Sequence, residues 1–187
     1  MPYSSKYKIS FVHTPKTGGT SISIHLKLKP LGHYRWRKEK ELNPSYASFC
    51  IKRHPIDRAL SSYYYAQQKK NYWHNENNLH PDYNLLKNAS FDECVKLLGE
   101  NKLKHYGWSP QHSWSCENDS IKVDHVLCFE RLDADFDKLM TVLGISSIGR
   151  LPVVNSSKRP TKNRVSEVSR DALKEIYSKD FKLFEYE

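Results

Sequence analysis

Lys16 sits between a short β-like run and a pair of glycines, in the stretch His13-Thr14-Pro15-Lys16-Thr17-Gly18-Gly19-Thr20-Ser21. These residue types at this spacing suit anion binding. Two glycines let the backbone turn tightly and approach a ligand closely. The amides of such a turn, and of a helix that follows it, favour negative charge. Lys16 adds a mobile positive charge, and Thr17, Thr20 and Ser21 add hydroxyls. On residues alone, a plain strand-to-helix turn carrying an exposed lysine remains the alternative.

The pattern is not a Walker A loop, in which the lysine follows the glycines as G-x-x-x-x-G-K-[ST]. Here Lys16 precedes Gly18 and Gly19. The strongest later strand, Val123 to Phe129, runs into Glu130 rather than the aspartate of a Walker B metal site. Magnesium-dependent nucleotide chemistry is therefore disfavoured. A second basic segment follows at Lys52-Arg53-His54-Pro55-Ile56-Asp57-Arg58-Ala59-Leu60-Ser61-Ser62-Tyr63. Arginine is suited to phosphate because its planar fork donates two parallel hydrogen bonds.

These residues need elements to hold them. Lys8 to His13 reads as a strand that stops at Thr14-Pro15. Thr20 to Lys29 alternates Ile22, Ile24, Leu26 and Leu28, which suits a strand. The capping types Thr20 and Ser21, with Pro30 as a stop, favour a helix instead. Ser48 to Arg53 is a second strand, and Pro55 is well placed to open a helix. Arg35 to Glu41 is a charged stretch, and Gln67 to Asn84 a long polar loop. Ser90 with Glu93 three residues on is a capping box. Asp133 to Leu143 is an amphipathic helix closed by Gly144, and Ser166 to Tyr177 is a last helix. Strands alternating with helices predict an α/β domain with a mainly parallel sheet, and ligands bind such sheets at the carboxyl ends of strands.

The chain has 187 residues, a length that suits one domain with its own core. Thirty Lys and Arg against 21 Asp and Glu give a formal charge of +9, which favours anionic partners. None of the four cysteines forms a C-x-x-C pair, so a zinc site is not expected, and Cys50 and Cys128 read as buried thiols. No run is apolar enough for a signal peptide or membrane span, so a cytoplasmic protein without stable membrane insertion is expected. The charge and the aromatics Tyr63, Tyr64, Tyr65, Tyr72 and Trp73 leave a nucleic-acid-binding module as a competing class. The basic residues are spread along the chain and no nucleic-acid motif is visible, so no nucleic-acid partner is expected. A kinase-like phosphotransferase is the third reading.

His13 to Ser21 resembles the 5′-phosphosulfate loop of carbohydrate sulfotransferases of the heparan and chondroitin type. Arg53 to Tyr63 is similar to that family's 3′-phosphate segment, R-x-P-x-x-R-x-x-S-x-Y. Weaker likenesses are Pro110-Gln111, Phe129-Glu130-Arg131-Leu132, Leu151-Pro152 with Asn155 and Ser157, and the segment from Tyr177 to Phe181. The resemblance implies one sulfotransferase domain over residues 1–187, a three-layer P-loop NTPase-like fold with a mainly parallel central sheet. It implies 3′-phosphoadenylyl sulfate as donor, 3′-phosphoadenosine 5′-phosphate as product, and no metal. The acceptor would be a hydroxyl, on a carbohydrate or glycolipid.

The same resemblance implies roles. Lys16 would stabilise the leaving phosphate oxygen. Pro15, Lys16, Thr17, Gly18, Gly19, Thr20 and Ser21 would hold the 5′-phosphate, and Arg53 and Ser61 the 3′-phosphate. Ser157 and Lys158, in a basic, polar segment with Ser156, Arg159 and Lys162, would close over the cofactor or contact an acidic acceptor; a solvated charged loop is the alternative. The general base lies between the two motifs in that family, and Gly32-His33 ahead of Glu41-Leu42 selects His33. His25, His80 and His112 compete for the role. His13 and His54, inside the motifs, are expected to orient or pack.

Overall fold

The computed structural model of the chain describes residues 3–28, 33–70, 74–146, 149–152 and 165–187. In chain order its elements are β1 (Tyr3–Ser4), β2 (Ile9–Val12), α1 (Gly19–His25), α2 (Trp36–Leu42), β3 (Ala47–Lys52) and α3 (Pro55–Ala66). Next come α4 (Tyr83–Leu86), α5 (Phe91–Gly99), α6 (His112–Ser115), β4 (Cys116–Glu117), β5 (Ser120–Ile121) and β6 (His125–Cys128). Last are α7 (Leu132–Val142), α8 (Glu167–Ile176) and α9 (Ser178–Leu183). The chain divides into two compact units, Met1–His54 with Pro110–Val154, and Pro55–Ser109 with Asn155–Glu187.

The first unit carries a sheet of order β1-β2-β3-β6, in which β2, β3 and β6 run parallel and β1 is antiparallel to β2. The mixed α/β class and the mainly parallel sheet are those expected. The register sets Phe11 opposite Phe49 and Val12 opposite Cys50. Successive strand residues point to opposite faces. Ile9, Phe11, Phe49, Ile51 and Leu127 accordingly share one face with Ile22 and Leu26 of α1 and Phe136, Leu139 and Met140 of α7. Val12 and Cys50 face the other way, onto Trp114, Val123 and the half-buried Trp36 of α2. Both faces are covered within this unit, which is why its strands read as near-continuous apolar runs.

The ambiguous alternation after Ser21 has a physical resolution. It is a helix, α1, but one that ends at His25, earlier than the expected Lys29. Lys27 takes a left-handed φ of 49°. Its amide donates to Ile24 O at 3.1 Å, and the Leu28 amide reaches back to Ser23 O at 2.8 Å. This is a Schellman turn with lysine in the place glycine usually takes. Ile22 and Leu26 are buried four residues apart, Leu28 is folded back into the core, and Ile24 is left exposed.

At the start of the β3–β6 pair, Asp124 Oδ2 accepts from the amide and the hydroxyl of Ser48, each at 2.7 Å. Burial alone would raise the Asp124 carboxyl, but these bonds hold it below the usual carboxylate range.

The second unit packs α3, α5, α8 and α9 around Ile56, Leu60, Val95, Leu173, Tyr177 and Phe181. Ser90 and Glu93 form the expected capping box of α5. Ser166 caps α8 by accepting from the Ser169 amide, and its own hydroxyl donates to Asp92 at 2.7 Å. Arg58 is fully buried and donates to the carbonyls of Gly107 (2.9 Å) and Ser109 (2.7 Å). The Tyr177 hydroxyl donates to the carbonyl of Trp108, between those two. The described part of the expected polar loop, before Tyr83, ends at Asp82. That buried carboxylate accepts from the Lys104 and His105 amides and from the Trp108 indole.

Candidate active site

Three strand ends meet in the first unit. The loop Thr14–Gly18 follows β2, Arg53 follows β3, and Phe129 with Glu130 follows β6. In a parallel sheet these are the carboxyl ends, where ligands bind.

The loop is shaped by its own hydrogen bonds. The Thr14 amide donates to Val12 O at 3.0 Å, and the buried Thr17 hydroxyl donates to Thr14 O at 2.8 Å. That proton is therefore used inside the loop. Lys16 adopts φ 67°, a left-handed conformation that costs a non-glycine residue roughly 1–2 kcal/mol. Its carbonyl is held in place by Arg53 Nη1 at 2.9 Å. Such strain gathers at ligand sites when the surroundings over-determine it.

The two glycines are needed for different reasons. Gly18 has φ 82°, and a Cβ there would lie 2.8 Å from Phe129 Cε2. At Gly19 a Cβ would lie 2.3 Å from both Cδ2 and Nε2 of His13 and 2.7 Å from Phe11 Cε1. Gly18 thus solves a backbone problem and Gly19 a packing one. Gly19 and Thr20 open α1, so their amides lack intrahelical acceptors.

His33 is half-buried beside this loop. Its Nδ1 lies 2.6 Å from the carbonyl of His13, and the two rings are 4.2 Å apart. A carbonyl accepts only, so neutral His33 carries its proton on Nδ1 and its lone pair on Nε2. Desolvation lowers the His33 pKa, the bond to His13 opposes that, and the nearby positive charge of Lys16 lowers it further. His13 is held well below the ordinary histidine range by desolvation, then by His33 and Lys16. Its ring stacks on Phe11 at 5.0 Å.

Arg53 is buried, with its guanidinium 4.0 Å from the centre of the Phe129 ring. Lys16, His33 and Arg53 are thus gathered around one loop, the last by a direct bond to Lys16.

A family model described as the sulfotransferase family matches residues 2–187. The chain belongs to the sulfotransferase family. No curated protein and no solved structure gives a match. Membership makes sulfuryl transfer the activity and a hydroxyl-bearing acceptor the second substrate.

The other residues expected in the site of this sulfotransferase are distributed as follows. Pro15, Thr17, Gly19 and Ser21 are buried and Lys16, Gly18 and Thr20 half-buried. Ser61 lies on the buried side of α3, in the second unit. Ser157 and Lys158 fall outside the described residues. Of the competing histidines, His25 on α1 sits edge-on to Phe136, its Nε2 buried without a hydrogen-bond partner among the described residues. His80 is buried and its Nδ1 accepts from the Asp82 amide at 3.1 Å. His112 opens α6. Among the described residues no helix is long and apolar enough to cross a membrane.

Sequence reasoning missed three parts of the arrangement: the His13 carbonyl, the Phe129 ring and the side chain of Gln111. A carbonyl leaves no trace in residue type. The other two stood inside the weaker likenesses, Phe129-Glu130 and Pro110-Gln111, without a physical role.

Proposed function

We propose that this sulfotransferase takes its sulfuryl group from 3′-phosphoadenylyl sulfate and passes it to a hydroxyl of a carbohydrate or glycolipid. The observation that carries the reading is the hydrogen bond from His33 Nδ1 to the His13 carbonyl beside Lys16. It provides a neutral histidine with a defined basic nitrogen next to an anion loop. The donor set also fits an anionic nucleotide: turn amides, a lysine and a buried arginine, all at strand ends.

On this reading the amides from Thr17 to Thr20 and the Ser21 side chain hold the 5′-phosphate, the Ser21 amide being bonded to Gly18 O at 3.1 Å, and Pro15 fixes the entry to the turn. Arg53 holds the 3′-phosphate, and Ser61, Ser157 and Lys158 are assigned to the nucleotide on the resemblance alone. The donor, when bound, supplies the sulfuryl group and a phosphate leaving group. Lys16 stabilises the charge that develops on that phosphate oxygen, the electrostatic contribution expected of in-line transfer. His33 Nε2 takes the proton of the acceptor hydroxyl as general base. No metal is assigned a role. The carbohydrate class rests on the likeness of His13–Ser21 and Arg53–Tyr63 to carbohydrate sulfotransferases.

His33→Ala tests this. It should retain binding of 3′-phosphoadenosine 5′-phosphate and lose transfer by about 10²–10⁴-fold. A near wild-type rate would assign the base elsewhere.

A further inference from the structure

Gln111 is buried to 1% exposure, and each end of its amide bonds the main chain of Arg53. Its Oε1 accepts from the Arg53 amide at 2.9 Å, and its Nε2 donates to the Arg53 carbonyl at 2.8 Å. The next amide, that of His54, donates to Glu130 Oε1 at 2.7 Å. The other oxygen of Glu130 accepts from the Cys128 thiol at 2.9 Å.

The place of these bonds explains them. The β3–β6 ladder ends at the pair Lys52 and Cys128. Arg53 lies one residue beyond it, buried, and buried main-chain polar groups need partners. Gln111 makes the two bonds that a residue of a neighbouring strand would have made. Glu130 holds the far side of the same Arg53–His54 peptide. The acid at the end of β6 is therefore occupied as a main-chain acceptor.

This grip fixes the point from which the Arg53 side chain departs. The guanidinium then reaches Lys16 O at 2.9 Å and lies against Phe129. Without the grip it keeps those two contacts but pivots about them, and recognition of a phosphate by a planar fork depends on direction.

We propose that Gln111, assisted by Glu130, is a positioning residue that sets the sulfotransferase's selectivity for a 3′-phosphorylated donor by fixing the Arg53 main chain. The proposal rests on the donor-site reading above, in which Arg53 meets the 3′-phosphate.

The test is calorimetric titration of the full chain with 3′-phosphoadenosine 5′-phosphate and with adenosine 5′-phosphate, which lacks the 3′-phosphate. Wild type should prefer the first. Gln111→Leu keeps the bulk and removes both bonds. It should weaken binding of the first ligand by about tenfold or more, as an ångström-scale misplacement does, and leave the second unchanged. In an Arg53→Met background it should add nothing. Gln111→Glu, which keeps the acceptor for the Arg53 amide and loses the donor, serves where the leucine variant does not fold, and should narrow the preference in part. An undiminished preference in the variant that folds, or equal weakening of both ligands, overturns the proposal. A wild-type protein without any preference overturns the donor-site reading, and the proposal with it.

Discussion

Gly19→Ala adds one methyl group where the structure has no room for it. The new Cβ would lie 2.3 Å from two atoms of the His13 ring and 2.7 Å from Phe11. The His13 ring has little space to retreat, because Phe11 stacks on it at 5.0 Å and His33 lies 4.2 Å away. Phe11 is itself stacked on Phe49 at 4.7 Å. Overpacking of this kind costs about 1–3 kcal/mol, and contacts this short argue for the upper part of that range. Alanine recovers up to about 1 kcal/mol as the better helix former. A net loss of about 2 kcal/mol remains, which in a chain of this size lowers Tm by roughly 4–8 °C.

The assay is thermal and denaturant unfolding of Gly19→Ala beside Gly144→Ala. Gly144 has φ 65° but open space around its Cβ position, so that variant pays only the backbone cost, roughly 1–2 kcal/mol. A Gly19→Ala protein as stable as wild type would refute the packing of the loop against His13. Any shift of His13 also moves the carbonyl that orients His33, so turnover should fall more than stability alone explains.

The pH dependence follows from His33. On the proposed mechanism its neutral form is the active one, and desolvation with the Lys16 charge lowers its pKa from the ordinary 6.5. The acid limb of kcat/KM should therefore lie below pH 6.5, and Lys16→Met should move it upward; a limb above 6.5 in wild type contradicts the assignment. Stability should fall as pH drops below 6.5, because His13 and His33, whose pKa values the fold lowers, bind protons more readily when unfolded. Arg58→Met removes two charge-assisted bonds to the carbonyls of Gly107 and Ser109, leaving Gly107 O with only the long Ser62 hydroxyl contact at 3.5 Å. A loss of about 3–5 kcal/mol is expected in denaturant unfolding, and one below about 1 kcal/mol would contradict the buried clamp. Ser90→Ala breaks the capping box of α5 and should cost about 1 kcal/mol by the same measurement, with no effect on donor binding.

The strands at the site were legible because their apolar runs are continuous, as both-sided burial requires. The Ser90 cap and the Gly144 stop were legible because each is a local signal; Gly144 has the positive φ a helix stop uses. The end of α1 was not, because it depends on Lys27 accepting a left-handed conformation that its residue type does not announce. The helix α2 hid inside a charged stretch, since among its described side chains it is Trp36 that joins the apolar cluster under the sheet. The β4–β5 hairpin did carry a signal, Asn118-Asp119 with φ of 51° and 55°, both residues that tolerate such a turn. Lys16, His33 and Arg53 were found by type and resemblance. Their coupling was not, because the groups that join them are a carbonyl of His13, a carbonyl of Lys16 and a glutamine distant in sequence.

On the proposed reading the Lys16 loop and Arg53 bind a 3′-phosphorylated nucleotide without a metal. Thermal unfolding in the presence of a chelator tests it most directly. At a hundredfold excess over Kd, 3′-phosphoadenosine 5′-phosphate should stabilise the protein by about 2.7 kcal/mol, roughly 5–10 °C in Tm. Adenosine 5′-diphosphate at the same concentration should give a clearly smaller shift. Equal stabilisation by magnesium-ATP, with nothing gained from the 3′-phosphate, would contradict the account.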